Sequence, residues 1–138
     1  MANTFHLEIV TPEGRSFSDD VDMVVVPGAE GEFGVLPQHM PLMTQIKPGE
    51  LQIKKGDREF VLAVGEGFVE VVGDRVSILT DMAVNSDQID EAKAEEARKR
   101  AEAALHSKLS DAEVATVTAA LERSLAQLRV KRRRHDGK

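Results

Sequence analysis

The side chains of this sequence best suited to acid–base or metal chemistry are its four histidines: His6, His39, His106 and His135. They are dispersed along the chain, and their spacing matches no metal-binding motif such as H-E-x-x-H. Asp19, Asp20 and Asp22 form a small acidic cluster, but no glycine-bearing calcium loop surrounds them. The serines do not occur in G-x-S-x-G, and no G-K-[ST] phosphate loop is found. We therefore expect neither a metal site nor a catalytic constellation.

Cysteine is absent, which excludes disulfides, thiolate metal sites and cysteine nucleophiles. The amino-terminal residues MANTFHLEIV lack both a basic leader and an apolar run of signal length. No segment approaches the roughly 18 consecutive apolar residues that a membrane span needs. We therefore expect a protein that is soluble or is attached to a membrane through partners, without direct insertion.

Three glycines recur at every third position in PGAEGEFGVLP: Gly28, Gly31 and Gly34. A phosphate-binding loop needs a helix N-terminus directly after its glycines, because the free amides and the helix dipole bind the anion. Here Val35-Leu36-Pro37 follows, which is extended and contains a proline that excludes the helix. We interpret the glycines as positions of positive φ in tight turns and reject a nucleotide loop.

The charge of the chain is divided between its two parts. Residues 1–84 contain 6 Lys and Arg against 14 Asp and Glu, a net charge of −8, whereas residues 85–138 contain 12 against 10, a net charge of +2. The last sixteen residues have seven positive charges and a single negative one. Such a basic block is consistent with favourable charge at a helix C-terminus, with a nucleic-acid patch, or with an acidic protein partner. Charge split by region suggests two modules with different partners.

The first module is predicted to be a β-sandwich. Phe5, Leu7 and Ile9 alternate with more polar neighbours, which is the period of a half-buried strand. Further short β-rich runs follow at residues 21–26, 51–55, 59–64, 68–72 and 75–80, separated by turn signals containing glycine or proline. Short strands at this spacing, with no helical pattern between them, predict an antiparallel sandwich or flattened barrel over residues 1–84.

The second module, residues 85–138, is predicted to be an antiparallel two-helix hairpin, so that the whole chain is α+β. Good helix formers dominate after Asp87, and a face of Ile89, Ala92, Ala97, Ala101, Ala104 and Leu105 defines the first helix. Ser110 and Glu113 form a capping box that starts the second helix, with a stripe of Val114, Val117, Leu121, Leu125 and Leu128. The alanine-rich face implies a modest buried apolar area. It is consistent either with an ordinary, weakly packed hairpin or with one that can leave its docking surface.

Four segments in register resemble the epsilon subunits of bacterial F-type ATP synthases. They are FHLEIVTPEG, PGAEGEFGVLPQHMPLMTQIKPGEL, GEGFVEVVGDRVSILTD and IDEAKAEEARKRAEAAL. The resemblance runs nearly end to end, with only the tail after Val130 less similar. It implies a β-sandwich followed by a helical pair, in a non-catalytic subunit of the central stalk that couples the motor and regulates it.

The resemblance also implies partners and a location. The sandwich would contact the gamma subunit and the membrane c-ring of a proton-translocating enzyme, at the cytoplasmic face of the bacterial inner membrane. The contacts with the c-ring would come from Glu30, Gly31, Glu32 and His39. The helical pair would fold on the sandwich or extend into the catalytic head. Extended, it would inhibit ATP hydrolysis by contacts with the alpha and beta subunits through Arg123, Arg129, Lys131, Arg132, Arg133 and Arg134.

Some members of the family bind ATP through an I-D-x-x-R-A motif, which here begins at Ile89-Asp90 and has Lys93 in place of the arginine. The ammonium group of Lys93, a point charge, thus replaces the planar guanidinium of arginine, which can donate two parallel hydrogen bonds. Val84 and Gln127 stand where stronger binders have a glutamate and an arginine. The resemblance therefore implies only a weak regulatory ATP site, at Asp90, Lys93, Arg100 and Arg123, and no required cofactor.

The alternative from a different class is a free-standing adaptor whose basic C-terminal helix binds nucleic acid or another acidic partner. The acidic remainder of the chain, and the lack of aromatic residues among the basic ones, disfavour nucleic acid. A small β-sandwich enzyme is disfavoured by the missing catalytic groups.

Overall fold

The computed structural model describes residues 3–136, with side chains described as far as Arg132. Ten strands come first, then a 3₁₀ turn at Ser86–Gln88 and two helices, α1 (Glu91–Leu105) and α2 (Asp111–Asp136). The strands are β1 (Phe5–Thr11), β2 (Gly14–Val21), β3 (Met23–Gly28), β4 (Gly31–Val35), β5 (Leu42–Ile46), β6 (Gly49–Lys55), β7 (Arg58–Val64), β8 (Gly67–Val72), β9 (Arg75–Thr80) and β10 (Ala83–Asn85). The predicted α+β sandwich with a C-terminal helical hairpin is confirmed.

The strands form a continuous path in the order β10-β7-β6-β3-β5-β8-β9-β1-β2, and β4 pairs with β3. Pairing among the described strands is antiparallel except between β1 and β9, which run parallel. The sequence predicted a wholly antiparallel sandwich, and this one pair differs because β1 fits between β2 and β9. A single residue pair, Gly28 with Ile46, joins β3 to β5. The path bends there into the two layers of the sandwich.

Alternating side chains from both layers fill the core. Phe5, Leu7 and Ile9 are buried while the residues between them are half-buried, as the period of two predicted. The other buried members come from the remaining long strands of the two layers: Val24, Val26, Leu51, Ile53, Val69, Val71, Val76 and Ile78. Strands β2, β4, β5 and β10 were not predicted. β4 and β5 are runs of only five residues each among the loop signals of residues 27–48, β2 is mostly polar and exposed, and β10 has only three residues.

Strand β7 is buried on both faces over its second half. Leu62 and Val64 point into the sandwich core. Val61 and Ala63 point outward and belong to a second apolar cluster with Ile89, Ala126 and Val130. The second cluster shows why the sequence of β7 is an unbroken apolar run: its outer face is covered by α2.

The two helices begin at side-chain caps. The Asp90 carboxylate accepts a hydrogen bond from the Lys93 amide at the start of α1. At the start of α2 the Glu113 amide donates to Ser110 Oγ (3.2 Å), and the Ser110 amide donates to a Glu113 carboxylate oxygen (2.8 Å). The predicted capping box is confirmed. The same hydrogen bonds from Ser110 lower the pKa of the Glu113 carboxyl.

The buried faces of the helices differ from the predicted stripes. On α1 the buried residues are Ala94 and Ala101, whereas Ala92 and Leu105 are exposed. On α2 Leu128 is buried, but Val114 and Leu125 are 40% and 41% exposed. The reason is that the second half of α2 contacts α1 and the sheet together, through β6 and β7. Its buried surface therefore includes small residues such as Ala126, which a search for large apolar side chains overlooks.

Candidate functional site

The turn between β3 and β4 presents Glu30, Gly31 and Glu32 to solvent. Gly31 has a φ of +133°, a conformation that glycine adopts readily because it lacks a Cβ. The other two glycines of this segment do not have positive φ, which corrects our interpretation of them. An added Cβ at Gly28 would lie 2.8 Å from Phe33, so Gly28 is needed for close packing. No helix follows the glycines, since β4 is extended, as predicted.

The loop after β4 contains His39, which is half-buried. Its Nδ1 donates to the Met40 carbonyl oxygen at 2.7 Å, and Gln38 beside it has a φ of 68°. Leu36 and Met40 of the same loop are exposed. The Glu32 turn and the His39 loop lie at opposite ends of β4, about 13 Å apart along a strand of five residues. They are therefore two separate surfaces at the ends of one strand.

The four residues expected to form an ATP site are not gathered into one cluster. Asp90 is occupied as the cap of α1, and Lys93 is exposed. Arg100 lies ten residues after Asp90, which is about 15 Å along the helix axis. Its guanidinium pairs with the Glu96 carboxylate at 3.5 Å. Arg123 pairs instead with Asp81, with 3.4 Å between Nη1 and Oδ2.

The contact between Arg123 and Asp81 belongs to a set that the sequence analysis missed. Gln127 Nε2 donates to Met82 Sδ at 3.1 Å, and Lys131 Nζ donates to the Ser86 carbonyl oxygen at 3.3 Å. We call residues 81–86 the docking segment. The partners are more than 40 positions apart in sequence, and no local signal would have found them.

The basic residues of α2 are engaged in part with this chain's own acids. Arg132 lies between two carboxylates of α1, 2.9 Å from Glu91 and 3.1 Å from Glu95. These carboxylates raise the pKa of Arg132, Glu91 first. Hydrogen bonds from Arg98, and then from Arg132, lower the pKa of the Glu95 carboxyl. Arg129 is exposed, while the side chains of Arg133 and Arg134 lie outside the described residues.

An apolar surface lies on the sheet face formed by β5, β8 and β9, which the hairpin leaves uncovered. Met43, Phe68 and Leu79 are 69%, 53% and 54% exposed. Phe68 and Leu79 are direct neighbours across β8 and β9. Exposed apolar residues that adjoin one another, rather than occurring singly, mark a surface for another protein.

The described side chains contain no group of three or more His, Cys, Asp or Glu residues arranged to hold a metal ion. Among the described helices, none combines the length and the apolar character needed to cross a bilayer. The surfaces that remain are two loops, an apolar sheet face and a basic helix. Surfaces of these kinds are suited to contacts with other proteins.

Family models support this conclusion. The model for the beta-sandwich domain of the ATP synthase delta/epsilon chain matches residues 4–86, and that for its long alpha-helix domain matches residues 87–132. The ATP synthase epsilon chain of Desulforamulus reducens is 44% identical over 129 residues, which cover 94% of this chain and 98% of the relative. That of Dehalococcoides mccartyi is 48% identical over 132 residues, 94% of each. This chain belongs to the family of ATP synthase epsilon chains.

Solved structures agree. A chain in the cryo-EM structure of the Euglena gracilis mitochondrial ATP synthase, OSCP/F1/c-ring, superposes with a TM-score of 0.77 at 26% identity, covering 91% of this chain and 79% of that one. A chain of the central stalk/c-ring structure from Tetrahymena thermophila shares the fold, with a TM-score of 0.67 at 10% identity and coverages of 91% and 95%. Family membership favours a subunit of the rotary enzyme over the free-standing adaptor.

Proposed function

We propose that this chain is a non-catalytic rotor subunit of a proton-translocating F-type ATP synthase, which couples the catalytic head to the c-ring and restrains ATP hydrolysis through its hairpin. The observation that supports this best is the separation of two apolar clusters. The sandwich core shares no residue with the cluster beneath α2. The hairpin can therefore leave the sandwich without exposing the sandwich core.

The small size of the second cluster supports a mobile hairpin. Its buried members are two valines, two alanines and one isoleucine. A fully buried Val or Ile contributes only about 1.5–3 kcal/mol, and the hydrophobic residues packed around the cluster, Met82 and Val84, are only partly buried. Such an interface is of the size that a competing partner can replace. We assign the released α2, with Arg123, Arg129 and Lys131 to Arg134, to acidic segments of the alpha and beta subunits.

The contact with the c-ring is assigned to the β4 edge, with Glu30, Gly31 and Glu32 at one end and His39 at the other. The exposure of the turn, and of Leu36 and Met40 in the loop, supports this assignment. The two structural neighbours belong to assemblies that include a c-ring. Cysteines at Glu32 and at His39 should each cross-link to a cysteine in the polar loop of the c-ring, while a cysteine at Glu59 on β7 should not.

The gamma subunit is assigned to the uncovered apolar face with Met43, Phe68 and Leu79. This face and the hairpin-covered face of β7 lie on different layers of the sandwich. Gamma can then remain bound while the hairpin moves. As a stalk component the chain would sit at the cytoplasmic face of the bacterial inner membrane, held by its partners. Nucleic acid is not among the partners, and ATP would bind weakly and serve only in regulation.

The test is ATP hydrolysis by the catalytic head reconstituted with gamma and this chain. Deleting residues 110–138 should raise hydrolysis and leave assembly intact. Replacing Arg132, Arg133 and Arg134 by Ala should reproduce part of that effect, because exposed charge pairs contribute only about 0.2–1 kcal/mol each. The matched control is Lys99→Ala, which removes an exposed cation of α1. Equal hydrolysis rates for the native and truncated chains would disprove the inhibitory role.

A further inference from the structure

The docking segment contacts α2 at three positions spaced by four residues. Arg123, Gln127 and Lys131 succeed one another on one face of the helix, since residues four apart are neighbours on a helix surface. Their partners follow in the same order along the docking segment: Asp81, Met82 and Ser86. The helix and the segment therefore lie side by side, in a register that polar groups define.

The first of these contacts is held in place by the sandwich. The Asp81 amide donates to the Glu66 carbonyl oxygen at 3.0 Å, and the Gly65 amide donates to Thr80 Oγ1 at 3.1 Å and to the Met82 carbonyl oxygen at 3.0 Å. These bonds fix the backbone on both sides of Asp81 against the turn between β7 and β8. The carboxylate is thus presented to α2 by a rigid support.

Two of the three contacts use cations that are also assigned to the catalytic head, Arg123 and Lys131. A third such cation, Arg132, is held by Glu91 and Glu95. A guanidinium that pairs with a carboxylate of its own chain cannot make the same hydrogen bonds to another protein. In the folded hairpin Arg123 and Arg132 are therefore already paired with carboxylates of the chain, while Lys131 donates to the Ser86 carbonyl oxygen.

We propose that Asp81 and the α1 carboxylates Glu91 and Glu95 are internal competitors for the cations of α2, so that they set how readily α2 is released, from the sandwich and from α1, to its acidic partner. Binding of the released helix to an acidic partner rests on the proposed function, whereas docking of the helix within the chain rests on the contacts alone. Because salt screens the internal and the external pairs alike, salt dependence of inhibition cannot separate them. Substituting one of this chain's own carboxylates can separate them, because it weakens an internal pair and leaves the external pairs intact.

The experiment uses the full chain, which has no native cysteine. Spin labels at Lys47→Cys and Glu122→Cys report the docked hairpin, since both positions line one shallow cleft between the β5–β6 turn and α2. Asp81→Asn should increase the open fraction about two- to fivefold, the range for loss of one exposed pair. Glu91→Gln should also increase it. The matched control Glu96→Gln, whose pair with Arg100 lies within α1, should leave it unchanged.

Two further measurements distinguish an effect on docking from an effect on folding. The three charge substitutions and the two label sites are all at exposed positions, and the variants should keep the native circular dichroism spectrum. The charge-swapped variant Asp81→Arg with Arg123→Asp should restore docking to near the native open fraction. An unchanged open fraction in Asp81→Asn and in Glu91→Gln, or failure of the swap, would overturn the inference.

The second readout is hydrolysis by the reconstituted head. Asp81→Asn should lower it, because more hairpins are released to inhibit, and the charge swap should not lower it, because Arg123 is lost to the partner. If Asp81→Asn opens the hairpin but leaves hydrolysis unchanged, the inhibitory role in the proposed function fails and the internal docking stands. If opening itself is unaffected, the competitor role fails whatever the hydrolysis rate.

Discussion

Gly65 lies directly beneath the carboxylate of Asp81: a Cβ added at Gly65 would come 1.8 Å from Asp81 Oδ1. Gly65 is not among the residues with positive φ, so this glycine is required by the close approach of a neighbour and not by its own backbone conformation. The space it leaves is where the carboxylate that pairs with Arg123 is held. A residue of the β7–β8 turn thus determines how a helix more than fifty positions later is docked.

Substituting Gly65 by Ala should therefore loosen the hairpin. The added methyl group must displace the Asp81 carboxylate, and with it the pair with Arg123. We expect a larger open fraction in the spin-label measurement described above. The control is Gly34→Ala, whose added Cβ would lie 2.9 Å from the terminal methyl of Met23, a flexible side chain that can move aside. Equal opening in both variants would contradict the role of Gly65.

Val130 should stabilise docking without stabilising the sandwich, because it belongs to the second cluster only. Val130→Ala removes two methyl groups from a fully buried site and should weaken docking by about 1–2 kcal/mol. Val24→Ala, in the sandwich core, should instead lower the free energy of unfolding of the sandwich. Denaturant unfolding, followed separately by helix content and by a probe in the sandwich, tests the contrast. If both variants change the two signals alike, the clusters are not independent.

The capping box should stabilise the hairpin tip. Ser110→Ala removes the hydroxyl that accepts from the Glu113 amide, and substitutions of this kind cost about 1 kcal/mol of helix stability. The loss should appear as reduced helicity and as faster hydrogen exchange in the first turn of α2. Ser107→Ala, just after α1 and outside the capping box, serves as the control and should leave exchange in that turn unchanged.

Lowering the pH should destabilise the hairpin. The pKa of Glu113 is lowered by Ser110, and that of Glu95 by Arg98 and then Arg132. A carboxyl with a depressed pKa in the folded state contributes stability above its unfolded pKa, and loses it as the pH falls through the folded value. We therefore expect full docking at neutral pH and a loss beginning below about pH 4.5, the ordinary range of Glu. Glu95→Gln should reduce the pH dependence of hairpin opening, whereas constant docking down to strong acid would contradict these pairs.

The sandwich should fold without the hairpin. The predicted domain boundary after residue 84 falls inside β10, whose last residue pairs with Leu62, so a chain of residues 1–86 should be more stable than one of residues 1–84. Both should bind gamma, since the apolar face of Phe68 and Leu79 is retained. Removing α2 uncovers Val61 and Ala63, so Val61→Thr should improve the solubility of the short chain. Thermal unfolding and binding to isolated gamma check these expectations.

Much of the fold could be predicted because its signals are local. The alternation of Phe5, Leu7 and Ile9 defines a strand from its own residues, and Ser110 with Glu113 defines a helix start within four positions. The core faces of the helices could not be predicted in the same way. Leu125 looks like a core residue by spacing but is exposed, because the side of α2 that is buried depends on what packs against it.

The candidate sites likewise have features that were evident from the sequence and features that were not. The exposed turn at Glu32 and the basic residues of α2 were evident from the sequence, and the ATP-site residues came from the family motif. Their partners were not evident: Arg123 meets Asp81, and Arg132 meets Glu91 and Glu95. An ion pair between residues about forty positions apart leaves no periodic trace, since each side chain alone is only another surface charge.

The sequence by itself therefore determined the two modules and most of their strands and helices, because these follow from propensities and patterns within a few residues, and the resemblance of four segments indicated the family. The tertiary structure alone decided that β7 is buried on both faces, that Gly65 makes room for Asp81, and that Arg123 and Arg132 of α2 are held by the chain's own acids. The physical reason is that packing and charge pairing depend on distances between segments remote in sequence, and folding is what sets those distances.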